Sequence, residues 1–200
     1  MVTTLIRFLV PGTSNRFRCG GLSVELQTAR LVAGLCATEV VTYRQRQLDS
    51  PFLDDCLKAE KPDPSVLWIV SWGFDVPGLI RRLRGHRVAY HAHSSGYGFD
   101  LPAGVPVLAV SRNTLGYWGA RAPRNPLCLV PNALADPWFT RGARRRDGLR
   151  PIDVLVQARK SSPYVLNHLV PALLRAGLRV EVQNGWVDDL VELFNQSTVY

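Results

Sequence analysis

Short apolar runs alternate along this chain with segments in which apolar residues recur every three or four positions. Leu5 to Val10 (LIRFLV) predicts a buried strand, and Asn15 to Gly21 (NRFRCGG) a loop. Leu22, Leu26, Ala29, Ala33 and Cys36 then form one helical stripe. Glu39 to Tyr43 (EVVTY) predicts the second strand. Residues 44–64 are polar and carry Pro51, Pro62 and Pro64, which predicts irregular structure with one short helix over Leu53 to Ala59. Val66 to Val70 (VLWIV) is a strand. Val76, Leu79, Ile80 and Leu83 mark a helix that Gly85 stops. Val88 to His91 and Val107 to Val110 are further strands. Asn113 to Ala120 is a helix capped by Ser111, and Leu127 to Val130 is the sixth strand.

The texture then changes. Residues 131–151 hold three prolines, two glycines and Arg144-Arg145-Arg146, which predicts a linker. Ile152 to Val156 restarts the alternation. Ser162-Pro163 begins a helix that runs to about Ala176, kinked at Pro171 and stopped by Gly177. A strand over Arg179 to Val182 follows. Val187, Leu190, Val191 and Phe194 make another helical stripe, and a last strand begins at Thr198. Alternation of this kind predicts an α/β protein: a Rossmann-like parallel-sheet domain over residues 1–133, a linker over 134–151, and the start of a second Rossmann-like domain over 152–200. Ligands of such sheets sit at the carboxyl ends of the strands, so the loops after the strands carry the chemistry.

Composition narrows the class. Apolar residues make up 46% and charged residues 20%, an ordinary globular balance. No apolar run approaches the roughly 18 residues of a membrane span. The opening MVTTLIRFLVPG has a short apolar stretch, no basic leader of any length and a Pro-Gly ending, unlike a signal peptide. Cys19, Cys36, Cys56 and Cys128 form no C-x-x-C pair, so free thiols in a reducing cytoplasm are expected rather than a disulfide framework. The net charge of +8 gathers partly in Arg81-Arg82-x-Arg84-x-His86-Arg87 and in Arg144 to Arg146. Such clusters contact phosphate of nucleic acid, acidic lipid or a sugar nucleotide, or they are a solvated helix face and a loop.

Four loops stand out. Gly20-Gly21 opens the first helix, where bare backbone and helix-start N–H groups favour an anion; the plainer reading is a tight turn. The fingerprint G-x-G-x-x-G is absent, which disfavours NAD. Tyr90-His91-Ala92-His93-Ser94-Ser95-Gly96 follows the fourth strand, and His91 and His93 share one face of an extended segment. Such a pair binds zinc only with a further ligand, and no acid or cysteine lies at a helpful spacing; hydrogen bonding to a polar substrate, proton transfer and a purely structural role are the other readings. Asn132, just after the sixth strand, suits a structural bridge between loops. Arg159-Lys160 follows the first strand of the second unit, ahead of a helix start, and suits a pyrophosphate or a solvated turn. There is no P-loop, G-x-S-x-G or H-E-x-x-H.

The order of GGLSVELQTARLVAGLCATEVVTY, VAYHAHSSGY, VPVLAVSRNTLGYW and LVPNALADPWF, followed by a linker and a strand ending in Ala158-Arg159, resembles the family 4 (group 1) glycosyltransferases of the GT-B fold over nearly the whole chain. The resemblance implies an enzyme with two Rossmann-like domains, one on the acceptor side and one for the sugar nucleotide. Such an enzyme passes a hexose from a nucleotide-diphosphate sugar to a hydroxyl of a saccharide or lipid-linked acceptor, with retention and without a metal or other cofactor. Gly20 and Gly21 match the glycine loop near the donor phosphates. His93 matches the family's histidine best, with His91 second. Asn132 matches the interdomain asparagine, and Arg159 the arginine of the donor phosphates. Ser111 belongs with Asn132 among the structural positions.

The chain also departs from that pattern. Ala158 stands where the family has glycine, and Ser162, Pro163 and Tyr164 where its lysine falls, so Lys160 is the substitute. The family's Glu-x7-Glu pair would lie beyond Tyr200, which implies a fragment, inactive alone, of a polysaccharide-biosynthesis enzyme. A cytoplasmic location follows, with the arginine clusters available for peripheral membrane contact; nucleic acid is not an expected partner. The alternative is a non-catalytic sugar- or nucleotide-binding module of the same fold.

Overall fold

The structure is a computed structural model that describes residues 3–71, 73–132 and 150–200. Two compact units divide between Leu134 and Ala135. Most of the linker expected over 134–151, with Arg144 to Arg146, lies outside the described residues.

In the first unit, β1 (Leu5–Val10), β2 (Ala37–Thr42), β3 (Val66–Val70), β4 (Arg87–Ala92), β5 (Val107–Ala109) and β6 (Leu127–Leu129) form one sheet in the order β2-β1-β3-β4-β5-β6. Every neighbouring pair is parallel. The fold is therefore α/β and Rossmann-like. The strand order reverses at β1, where the chain first moves outward to β2 and then crosses back to β3, and ligands of doubly wound sheets gather at such a switch point. β1, β3 and β4 are largely buried because helices cover both faces, which explains the unbroken apolar run of β3 and the mostly apolar β1 and β4. β6 is exposed along its length as the edge strand.

Strand alternation divides the core in two. Leu9, Val41, Trp68, Val70, Tyr90 and Val107 point to one face. There they meet Leu53 and Cys56 of α2 (Leu53–Ala59), Val76, Leu79 and Ile80 of α3 (Val76–Arg82), and Trp118 of α4 (Arg112–Arg121). Phe8, Ile69 and Ala89 point to the other face, with Ala29 of α1 (Gly20–Ala33).

α1 begins at Gly20, where the glycine pair was expected to open it, after a single 3-10 turn over Asn15–Phe17, but it buries another face: its buried residues are Leu22, Glu25 and Ala29. The expected stripe through Leu26, Ala33 and Cys36 is thus rotated: Leu26 and Cys36 are half-buried, and Ala33 is exposed. The helix thus turns the face carrying a carboxylate toward the sheet, where Glu25 accepts from two histidines.

In the second unit, β7 (Ile152–Gln157), β8 (Val180–Gln183) and β9 (Ser197–Val199) form a parallel sheet with β7 in the centre. β7 is therefore a second switch point. The helix after it does not simply kink at Pro171. A π-helical turn over Val165–Leu169 leads into α5 (Val170–Arg175), which has Pro171 in its first turn. Proline has no N–H and its ring collides with the carbonyl four residues back; the widened turn removes that clash. α6 (Leu190–Asn195) precedes β9.

Candidate functional site

The carboxyl end of β4 carries the chemistry of the first unit. His91 is the buried next-to-last residue of that strand, on the same face as Ala89 two residues earlier. Ala89 and Ala29 share a core cluster, and α1 runs back along the sheet, so one helical turn before Ala29 stands level with two strand residues after Ala89. The residue one turn back is Glu25. Its Oε2 accepts a hydrogen bond from Nδ1 of His91 at 2.6 Å and another from Nε2 of His93 at 2.8 Å. The imidazole rings lie 4.3 Å apart, on one side of the extended segment. Glu25 is 1% exposed and the side chain of His93 15%, so the cluster opens to solvent through His93.

Burial pushes the Glu25 carboxyl up. The hydrogen bonds from His91 and then His93, with their attraction, outweigh burial and hold it below the usual carboxylate range. Glu25 is therefore a carboxylate, and the two histidines are its donors. The other carboxylate oxygen, Oε1, and Nε2 of His91 are buried with no hydrogen-bond partner among the described residues. Among the described residues Glu25, His91 and His93 are the one group of three metal-ligating side chains whose ligand atoms lie close together, within 4.8 Å.

The same helix carries Gly20 and Gly21 at its start. Glu25 is one turn beyond Gly21, so the glycine pair and the histidine pair share one edge of the sheet. Neither glycine has a positive φ, and a Cβ built on Gly20 meets nothing within 4 Å; on Gly21 it meets only the Cys19 sulfur, at 4.0 Å. The backbone angles of a tight turn do not require them. What their small size does is leave the first turn of α1 bare. The loop after β4 does need glycine: Gly96 and Gly98 have φ of 88° and 73°.

Other expected residues fall elsewhere. Ser111 caps α4, its side chain accepting from the Thr114 N–H at 3.1 Å. Asn132 is exposed, three residues past β6. The cluster Arg81 to Arg87 sits where α3 ends and β4 begins, at the opposite sheet edge from His93. Arg82 pairs with Asp54, and Arg87 donates to Thr3 and to the Pro64 carbonyl. In the second unit, Arg159 and Lys160 lie exposed in a 3-10 turn, Ala158–Lys160, at the carboxyl end of β7. Gln157 and Ser161 flank that turn and help Val165, Phe194 and Tyr200 line a depression of about 400 Å³.

Glu25 is the residue that sequence reasoning missed. Its signal was a charge inside a helical stripe: Leu22, Glu25, Ala29 and Val32 follow helical spacing as well as the all-apolar choice does. No third ligand was visible near His91 and His93 because it lies 66 positions away. No family model, no curated protein and no solved structure matches this chain.

Proposed function

We propose that this chain belongs to a glycosyltransferase that passes a hexose from a nucleotide diphosphate to a hydroxyl of a saccharide or lipid-linked acceptor. The observation that carries the reading is the convergence, at one sheet edge, of the bare start of α1 and the buried Glu25–His91–His93 cluster. The glycine pair and the histidine pair both lie at the carboxyl ends of strands, where ligands of such sheets are met. Gly20 and Gly21 let the donor phosphates approach backbone N–H groups at the positive end of α1. His93, the most exposed of the cluster, faces the reacting sugar. Taken by itself, the second unit offers Arg159 and Lys160, exposed at the carboxyl end of β7, as the charges suited to a diphosphate.

Turnover decides it. The full-length protein is incubated with a panel of nucleotide-diphosphate hexoses, with and without saccharide and polyprenyl-phosphate acceptors, and release of nucleoside diphosphate is measured. Acceptor-dependent release that His93→Ala abolishes supports the reading. Tight donor binding without release makes the chain a binding module instead, and no donor binding at all removes both. The exposed Arg81 and Arg84 supply a second, weaker proposal, docking on acidic lipid. Co-sedimentation with vesicles rich in phosphatidylglycerol tests it, and equal recovery with neutral vesicles rejects it.

A further inference from the structure

The geometry points to a binding site for one divalent transition-metal cation of the zinc class, held by Glu25, His91 and His93. Two imidazoles and a carboxylate, each offering one atom toward a common point, are the ligand set of open zinc sites, which leave a fourth position for water or substrate. The ligand atoms are His91 Nδ1, His93 Nε2 and a Glu25 carboxylate oxygen. They come from two elements, α1 and the end of β4, that the core already fixes through Ala29 and Ala89.

Distance and charge both fit. The nitrogens lie 2.6 and 2.8 Å from Oε2. Around a tetrahedral ion with bonds of roughly 2.0–2.1 Å, ligand atoms are roughly 3.3 Å apart, so the two contacts open by about 0.5–0.7 Å. That movement lies within side-chain rotation. Each ring then shifts its facing proton to its other nitrogen and gives the lone pair to the ion. A second observation comes from Glu25 Oε1, a buried carboxylate oxygen without a donor. Leaving it unmatched is costly, and a water held in the fourth position of the ion can donate to it.

One carboxylate and two neutral imidazoles leave a bound divalent ion with a net charge of +1. The fourth ligand is therefore expected to be an anion or a polarised hydroxyl, arriving from the side where His93 meets solvent. Such an ion departs from the metal-free chemistry of the family the chain resembles, and His93 then acts through it rather than directly. The inference does not rest on the transferase reading, because its test reads binding alone.

The full-length protein is stripped with chelator and titrated with zinc by calorimetry, and with cobalt(II) by visible absorption. The expected result is one cation per chain, with the absorption of a tetrahedral nitrogen–oxygen site and no thiolate band. His93→Ala and Glu25→Gln are each expected to weaken zinc binding at least 100-fold, while His168→Ala leaves it unchanged. Circular dichroism identifies a variant that fails to fold. Should Glu25→Gln do so, His93→Ala decides alone, because His93 lies at the cluster's solvent side. No stoichiometric binding, a thiolate band, or affinity unchanged by His93→Ala overturns the site.

Discussion

His93 at the end of β4 and Glu25 inside α1 are 68 positions apart in the chain, and Nε2 of one donates to Oε2 of the other at 2.8 Å. That bond ties the loop after the fourth strand to the helix after the first. It makes a single site of two motifs that the sequence presents separately.

Glu25→Ala is expected to destabilise the first unit by about 3 kcal/mol, since it leaves two imidazole donors without their buried acceptor and opens a cavity. Glu25→Gln, which keeps an acceptor and the volume, should cost about half as much. Hydrogen exchange of the β3 and β4 amides reads the difference. Equal costs for the two variants would show that the acceptor and the volume kept by glutamine contribute nothing and that the charge carries the whole effect.

Gly20→Ala separates fold from function. The added methyl group meets no atom within 4 Å, and alanine favours helix over glycine. The first unit should be unchanged or stabilised by up to about 1 kcal/mol, while affinity for a nucleotide-diphosphate sugar falls. Thermal unfolding and donor titration of one preparation check both. Undiminished donor affinity would remove the glycine pair from the site.

Arg159→Ala should weaken binding of a nucleoside diphosphate by about 10- to 100-fold, corresponding to the about 1.5–3 kcal/mol of one charge-assisted hydrogen bond. The exposed side chain has no packing role, so hydrogen exchange in β7 should not change. Equilibrium dialysis with labelled diphosphate measures the affinity, and an unaltered value would leave Arg159 a solvated turn residue.

Arg7 offers a test in the core. It is 6% exposed, stacks 5.0 Å over Trp68, and donates to Glu39 at 2.8 Å and to Glu60 at 2.6 and 2.9 Å. Removing both counter-charges with Glu39→Gln and Glu60→Gln leaves the buried guanidinium without an opposing charge and should cost about 3 kcal/mol. Arg7→Met takes the charge away with its need for partners and should cost about 1 kcal/mol. Urea unfolding followed by exchange of the β1 amides ranks the two. The reverse order would show that packing of the arginine stem outweighs the ion pairs.

The second unit carries a pH dependence of known sign. The side chain and then the backbone N–H of Arg179 hydrogen-bond Asp153 and lower its pKa to about 2. A depressed folded value means that the carboxylate stabilises the fold above the ordinary aspartate value of about 3.9, and that this contribution is lost as pH falls toward about 2. Protection of the β7 and β8 amides should therefore drop over that interval, and Asp153→Asn should flatten the drop. An identical profile for the variant would locate the acid sensitivity elsewhere.

Hydrophobic period was enough to mark β1, β3 and α2 with their observed boundaries, because a buried parallel strand or short helix records burial in its own few residues. The Ser111 cap was legible for the same reason: Thr114, which it caps, is three residues away. The π-helical turn before Pro171 was not, since a proline signals only that one hydrogen bond is missing and the backbone has several ways to respond.

The sequence by itself determined the α/β alternation, the position of both histidines at a strand end, and their shared face. These depend on backbone geometry within one segment. Tertiary structure alone decided that α1 turns Glu25 inward and that the strands order as β2-β1-β3-β4-β5-β6. The partner of a buried charge is set by how a helix rotates against a sheet. That rotation follows from satisfying donors on a strand far away in the chain, which no local period can register.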